Sequence, residues 1–294
     1  MYQDFHKQYP YLCEINGFNE STVIREEEIE ARKLIHPCRL DFMAKLLYLD
    51  GMEDEIENPG KDIYEKHLIA FSDGRMIEKG QEGKKGLQKY MDTFRSLWES
   101  VSKYEGEILD IWPSVPVDSG YLAVDGAHRV SCAIKAQKKI RVYYIHFEAP
   151  EYCRYNFLYC RKKYLDEHYI LEMVKKYCSI RQTSLIVSSE ADNKIWEKIY
   201  HSYTPVYMNR VKGQTIAVFD TEISQMKDFE KETLKKETIL TEINEIIDFL
   251  SVYQKKQKDT RIISLKKKVG RRYHRIRSYL WDIKDKIKKK CIRG

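Results

Sequence analysis

Residues 121–134 read YLAVDGAHRVSCAI. A short β-prone run, Tyr121–Val124, ends in Asp125-Gly126. Ala127, His128 and Arg129 follow, and from Val130 the apolar residues continue at helical spacing to Ala136. A strand that turns tightly into a helix is a natural anion site. Gly126 allows a tight turn and a close approach of the backbone to a ligand. The first amides of the next helix, from Ala127 onward, have no partner within the helix and sit at the positive end of its dipole. Arg129 brings a fork of donors matched to phosphate oxygens, and Ser131 in the first turn adds a hydroxyl. His128 can donate to a phosphate or exchange a proton, and Asp125 can serve as a general base or a metal-linked carboxylate. The same letters also fit a plain turn before an exposed helix start.

Outward from this stretch the period changes twice. Upstream, Ile111–Val117 (IWPSVPV) is β-prone but carries two prolines, which confine it to an edge or a strand end, and Ser119-Gly120 marks a turn. Downstream, Ile140–Phe147 (IRVYYIHF) is a strand of β-branched and aromatic residues. Further upstream, Leu87, Tyr90, Phe94, Leu97, Trp98 and Val101 share one face of a helix over Leu87–Tyr104. Ser72–Gly86 holds four glycines with Arg75, Glu78, Lys84 and Lys85. It forms either a solvated loop or a lid over a nucleotide, with Glu78 a second catalytic carboxylate beside Asp125; it lacks the spacing of a phosphate-binding glycine loop, which favours the former. His67–Phe71 reads as a strand, and residues 51–62 as a loop.

The order strand, D-G-A-H-R, helix, strand resembles the ParB/sulfiredoxin superfamily over about Trp98–Phe147. That superfamily includes chromosome-partitioning CTPases, sulfiredoxins and free-serine kinases. Gly126, His128 and Arg129 match the G-C-H-R of sulfiredoxins, but Ala127 stands where their nucleophilic cysteine belongs, so sulfinic-acid repair is not implied. The G-E-R-R-type motif and helix-turn-helix of the partitioning proteins are not visible. Asp125, Gly126 and Arg129 match the D-G-H-T-R of free-serine kinases. That branch implies phosphoryl transfer by the motif's Asp, with the Gly-to-helix amides and Arg holding phosphates. A longer pattern, Ala70-Phe71-Ser72-Asp73-Gly74, Glu78, Gly80 and Lys84 ahead of Asp125–Arg129, is similar to proteins of bacterial surface-polysaccharide gene clusters over about residues 60–220.

The rest of the chain bounds the setting. Seven cysteines form no C-x-x-C pair, which implies buried thiols in a reducing cytosol. Neither a signal peptide nor a run of 18 apolar residues is visible. His67 and His168 have no metal-ligand spacing with nearby acids or thiols, so no structural zinc is expected. Tyr152, Tyr155, Tyr159, Tyr164 and Tyr169 interleave with basic residues in a segment, 152–178, that reads as helical. They suit stacking on sugars or bases, or an ordinary amphipathic face. Leu185–Val187, Pro205–Asn209 and Thr215–Phe219 read as strands, with a helix over Asn193–His201, and residues 225–256 as one amphipathic helix carrying Ile239, Ile243, Ile246 and Leu250.

The net charge of +7 divides unevenly. Residues 261–294 carry fourteen Lys and Arg against Asp282 and Asp285, a local +12 that leaves −5 for the first 260 residues. An acidic body disfavours binding nucleic acid through that body. In the tail, Leu265, Val269, Tyr273, Ile276, Leu280, Ile283, Ile287 and Cys291 recur every three or four residues among basic ones. That pattern fits an anionic membrane surface first, and a solvated helix or a nucleic acid otherwise.

The expectation is an α+β chain: residues 1–59 irregular or helical, a ParB/sulfiredoxin-like mixed sheet with helices over 60–150, a small α/β unit over 151–224, a helix over 225–260 and a basic amphipathic tail over 261–294. Its expected function is nucleotide-dependent phosphotransfer to a small-molecule or sugar acceptor at the cytoplasmic membrane face. The partner ligands would be ATP, ADP or CTP with Mg²⁺. The alternatives are a non-enzymatic nucleotide switch of the partitioning type and nucleic-acid binding through the tail. Deleting residues 261–294 is expected to abolish flotation of the protein with anionic liposomes at low salt, each basic residue at such a surface contributing about 1 kcal/mol. Undiminished flotation of the truncated chain would refute the membrane role.

Overall fold

The computed structural model describes residues 1–52, 58–78, 81–188, 203–211, 214–221 and 237–259. The fold is α+β, with two separate four-stranded sheets. The predicted helix at 193–201 and the basic tail at 261–294 lie outside the described residues.

The first sheet is built on β6 (Lys139–Ile145). On one side β1 (Ile24–Glu30) runs antiparallel to it, with Ile24 opposite Ile145 and Glu30 opposite Lys139. On the other side β4 (Ile108–Leu109) and β5 (Val115–Val117) lie end to end, both parallel to β6. Residues 1–59 were expected to be irregular or helical, and their first thirty are regular. They form α1 (Tyr2–Gln8), α2 (Pro10–Asn16) and β1. β1 is an edge strand with its acidic side chains mostly in solvent, and Glu28 pairs across to Arg141 at 3.1 Å. Charge on an edge blunts it against foreign strands, but it also hides the strand from a hydrophobicity pattern.

Between β5 and β6 the chain makes the turn on which the site rests. Buried Asp118 accepts from the amides of Gly120 and Leu122, both at 2.8 Å, and from Ala149 N at 3.0 Å. This folds the chain back so that Ala123 bridges Val117, in place of the predicted strand over 121–124. Helix α6 (Ala127–Lys135) starts directly after Gly126, three residues earlier than the apolar spacing indicated.

Three further helices surround this unit: α3 (Asp41–Gly51), α4 (Pro59–Phe71) and α5 (Leu87–Ser102). His67–Phe71 is the last part of α4, not a strand. Its start signal lies in the presumed loop: Asn58 caps the helix by accepting from Lys61 N at 2.9 Å, with Pro59 next. Ile63, Tyr64, His67, Leu68 and Phe71 then recur at helical spacing, which a five-residue apolar run alone could not distinguish from a strand. α4 meets α3 so closely that a Cβ on Gly60 would lie 1.9 Å from the Leu47 carbonyl oxygen. The glycine-rich segment 72–86 holds a small hairpin, β2 (Ile77–Glu78) with β3 (Gln81–Lys85), where a loop was expected.

Beyond β6 come α7 (Phe157–Lys162) and α8 (Glu167–Ile180), which lead into the second sheet. Its strands are β7 (Ser184–Ser188), β8 (Pro205–Val211), β9 (Gln214–Phe219) and β10 (Glu237–Leu240), ordered β10-β7-β9-β8 and antiparallel throughout. Of the expected helix over 225–256, residues 225–236 lie outside the described residues, and within the rest a helix, α9, spans Ile243–Asp259. Ile239, assigned to its face, instead sits opposite Ile186 in the sheet, because pairing with β7 outweighs local periodicity. α9 packs on α8, and one apolar core continues from Ile29 to Tyr253. All cysteines of the described residues are buried. No helix among these residues is long and apolar enough to cross a membrane.

A buried ion cluster joins these parts. Arg39 donates through Nε and Nη2 to the two oxygens of Asp41 at 2.8 and 2.9 Å, and through Nη1 to the carbonyl of Ala123. Lys45 Nζ reaches the same carboxylate at 3.1 Å. Burial alone would raise the Asp41 carboxyl, but Arg39 and Lys45 outweigh it and hold it well below the usual carboxylate range. Asp41→Asn leaves two buried cations uncompensated and is expected to cost about 3–5 kcal/mol, read from urea unfolding at neutral pH. A loss under about 1 kcal/mol would show that the cluster is not structurally important.

Candidate functional site

Helices α3, α4 and α5, the start of α6 and the segment Tyr155–Tyr159 enclose a cavity of about 410 Å³. That volume suits a small molecule of nucleotide size. Asp125, Gly126, Ala127, His128 and Arg129 all line it.

Gly126 has φ 75°, a left-handed conformation, and closes the turn as the residue before α6. A Cβ there would lie 2.9 Å from Arg129 Nη2 and 3.1 Å from Val115 Cγ2, so both conformation and space require glycine. The first backbone bond within α6 runs from Val130 N to Gly126 O at 3.0 Å, which leaves the amides of Ala127, His128 and Arg129 outside the helical ladder.

The side chains are held firmly. Asp125 is half-buried. Its Oδ2 accepts from the Tyr11 hydroxyl at 2.7 Å, and its Oδ1 from Gly126 N at 2.6 Å. His128 Nε2 lies 2.7 Å from the Tyr64 hydroxyl, and its ring stands edge-on to Phe94 at 4.6 Å. Arg129 gives Nη1 to Pro113 O at 2.5 Å and Nη2 to the Tyr9 hydroxyl at 2.9 Å. Tyr9 in turn donates to Ser114 O at 2.7 Å. The guanidinium therefore acts partly as a brace between α6, β5 and the N-terminal helices, and its charge still faces the cavity.

Two expected participants are placed differently. Ser131 is fully buried and its hydroxyl donates back to Ala127 O at 2.9 Å, away from the cavity. Glu78 ends β2 opposite Gln81, and its side chain lies outside the described residues. Cys132 packs in the core, where burial pushes its thiol far above the ordinary value.

The inner wall contains residues that the sequence did not mark as a site. Arg39, Asp41 and Lys45 lie there, with His67, Phe71, Tyr155 and Tyr159. The spacing Arg39-x-Asp41 with Lys45 four residues on is a usable signal, but buried ion clusters share it with solvated helix starts. Three cationic side chains, Arg39, Lys45 and Arg129, face two carboxylates, Asp41 and Asp125, among the described lining residues. The cavity thus favours an anion. Asp41 is already neutralised, which leaves Asp125 as the carboxylate suited to a Mg²⁺ ion that takes most of its ligands from phosphates and water. No group of three or more metal-ligating side chains occurs among the described residues.

Matched against protein-family models, curated proteins and solved structures, the chain has no significant counterpart in any of the three.

His67 is 2% exposed, and neither ring nitrogen has a hydrogen-bond partner among the described residues. Burial, reinforced by Lys45, depresses its pKa well below the ordinary value, so the ring is neutral at pH 7. His36 is depressed in the same direction, chiefly by burial. Each binds a proton more readily when unfolded, so each contributes stability above about pH 6.5 that is lost as pH falls. Unfolding by urea between pH 7 and 5 is expected to show falling stability, by up to about 1.4 kcal/mol per pH unit for each group. His67→Phe is expected to flatten this slope. An unchanged slope would contradict a neutral buried ring.

Proposed function

We propose that this cavity binds a nucleoside phosphate at the start of α6 and transfers a phosphoryl group to a hydroxyl acceptor. The observation that carries the reading is the turn at Gly126. There, three amides outside the helical ladder, the charge of Arg129 and the Asp125 carboxylate converge on one cavity in a net-positive setting. The reading also draws on the resemblance of Asp125, Gly126 and Arg129 to the motif of the free-serine kinases, with α6 directly after the turn.

In this mechanism the amides of Ala127 to Arg129 and the Arg129 guanidinium orient the phosphates. Asp125 accepts the proton of the acceptor hydroxyl as its oxygen bonds to the terminal phosphorus. The bond from that phosphorus to the nucleotide's bridging oxygen breaks, and the shortened nucleotide leaves. Tyr11 and the Gly126 amide fix the carboxylate's orientation. His128, held by Tyr64, donates to a phosphate oxygen. Mg²⁺ bound with the nucleotide would be held by Asp125 and the phosphates, and would spread the charge of the transferring group. The +12 tail would keep the protein at an anionic membrane surface.

Calorimetric titration with ATP, ADP and CTP in the presence of Mg²⁺ tests the reading. At least one nucleotide is expected to bind, and Arg129→Ala to weaken it by about tenfold to a hundredfold, with circular dichroism confirming the fold. Three blank titrations of the wild type would refute it. Binding without a phosphorylated product by mass spectrometry would instead support a non-enzymatic nucleotide switch.

A further inference from the structure

The phosphate end of the cavity leaves its inner wall without a role. Three observations there converge. The His67 ring lines the cavity, is 98% buried, and has no hydrogen-bond partner on either nitrogen among the described residues. A buried polar group without a partner costs free energy, which an occupant that supplied one would recover. Beside it stand three aromatic rings. Phe71 and Tyr155 stack at 5.4 Å with 27° between planes, and Tyr159 is edge-on to both at 5.0 and 5.1 Å. Behind them, Arg39 and Lys45 outnumber the one carboxylate of Asp41.

Each feature restricts the occupant. A neutral imidazole offers one donor and one acceptor, which a hydroxyl group answers and a carbonyl or an ammonium answers only in half. The surplus positive charge repels an ammonium group, which counts against an amino-acid ligand. Aromatic faces pack well against the C–H face of a ring, and pockets for small molecules combine such surfaces with a few placed polar groups.

We propose that His67, Phe71, Tyr155 and Tyr159 form the subsite for an uncharged, hydroxylated ring such as a sugar or cyclic polyol. One ring nitrogen of His67 donates to a hydroxyl of the ring, and the other accepts from a second hydroxyl. As an acceptor site this rests on the phosphotransfer reading; as a binding site it stands on the inner wall alone. His67 is here a binding residue, and Asp125 at the outer end remains the proton acceptor.

The test uses the full chain with D-glucose, D-ribose, myo-inositol and L-serine as probes. Ring resonances of ¹⁵N-labelled histidine are followed in the wild type up to tens of millimolar probe. At least one of the three polyhydroxy probes is expected to shift the His67 signals saturably, while L-serine does not. His67→Phe, which removes both the donor and the acceptor, is expected to weaken that probe by about tenfold or more, with circular dichroism confirming the fold. His67→Asn keeps a donor and an acceptor and is expected to recover part of the loss. Unmoved His67 signals with every polyhydroxy probe would mean that water alone satisfies the ring, and would overturn the proposal. So would tighter binding of L-serine, or equal probe affinity in a folded His67→Phe. Polyol binding without nucleotide binding would keep this subsite and refute the phosphotransfer reading; the reverse result would do the opposite.

Discussion

The guanidinium of Arg39 is the point at which the parts of the structure meet. It lies 2% exposed at the foot of α3, bound on one side to Asp41 and on another to the Ala123 carbonyl, with its plane over Phe42 at 4.3 Å and near Tyr155 at 5.1 Å. The backbone repeats the junction: Leu40 N donates to Tyr155 O, and Tyr155 N to Cys38 O. Three segments distant in sequence are thereby fixed: the start of α3, the run into the D-G-A-H-R turn, and the aromatic entry to α7. A buried cation of this kind is stable only while its donors are answered, so its geometry is tightly specified. Hydrophobic residues of similar volume could support as much stability. What they could not supply is a directional tie to the Ala123 carbonyl, two residues ahead of Asp125.

This tie explains why the outer and inner parts of the cavity keep a fixed relation. Asp118 shapes the turn from within, Arg39 holds it from α3, and Arg129 braces it against Pro113 and Tyr9. The site residues thus sit on a loop, but the loop is anchored to rigid elements on three sides. Such anchoring is what catalytic or binding geometry requires.

The outer end of the cavity was legible in the sequence because its residues are neighbours in the chain. Asp125, Gly126, His128 and Arg129 fall within five residues, and a glycine between a short β-prone run and a helix has few structural explanations. Ser131 was misplaced for an equally local reason: one turn into a helix, its hydroxyl finds the Ala127 carbonyl before any ligand. The inner wall was illegible because it is assembled from α3, α4 and the approach to α7, and no period in the sequence links Asp41, His67 and Tyr155. The fold shows the same division. β6 and α5 declared themselves by apolar pattern, and the β8 and β9 strands did so too. β1 was hidden by its edge charges, and β10 by the helical spacing that Ile239 shares with α9. Those errors have a common cause: tertiary pairing decided the conformation where local signals were evenly matched.

The two ends of the cavity differ in electrical character, and that difference constrains any ligand that fills both. At the outer end, helix amides and Arg129 present positive potential beside the Asp125 carboxylate. At the inner end Asp41 answers both Arg39 and Lys45, which leaves one positive charge over beside aromatic rings and a neutral imidazole. An uncharged ring placed outward would leave the helix amides unanswered. In the proposed complex the unanswered helix amides favour the phosphate toward α6, which leaves the hydroxylated ring toward α4.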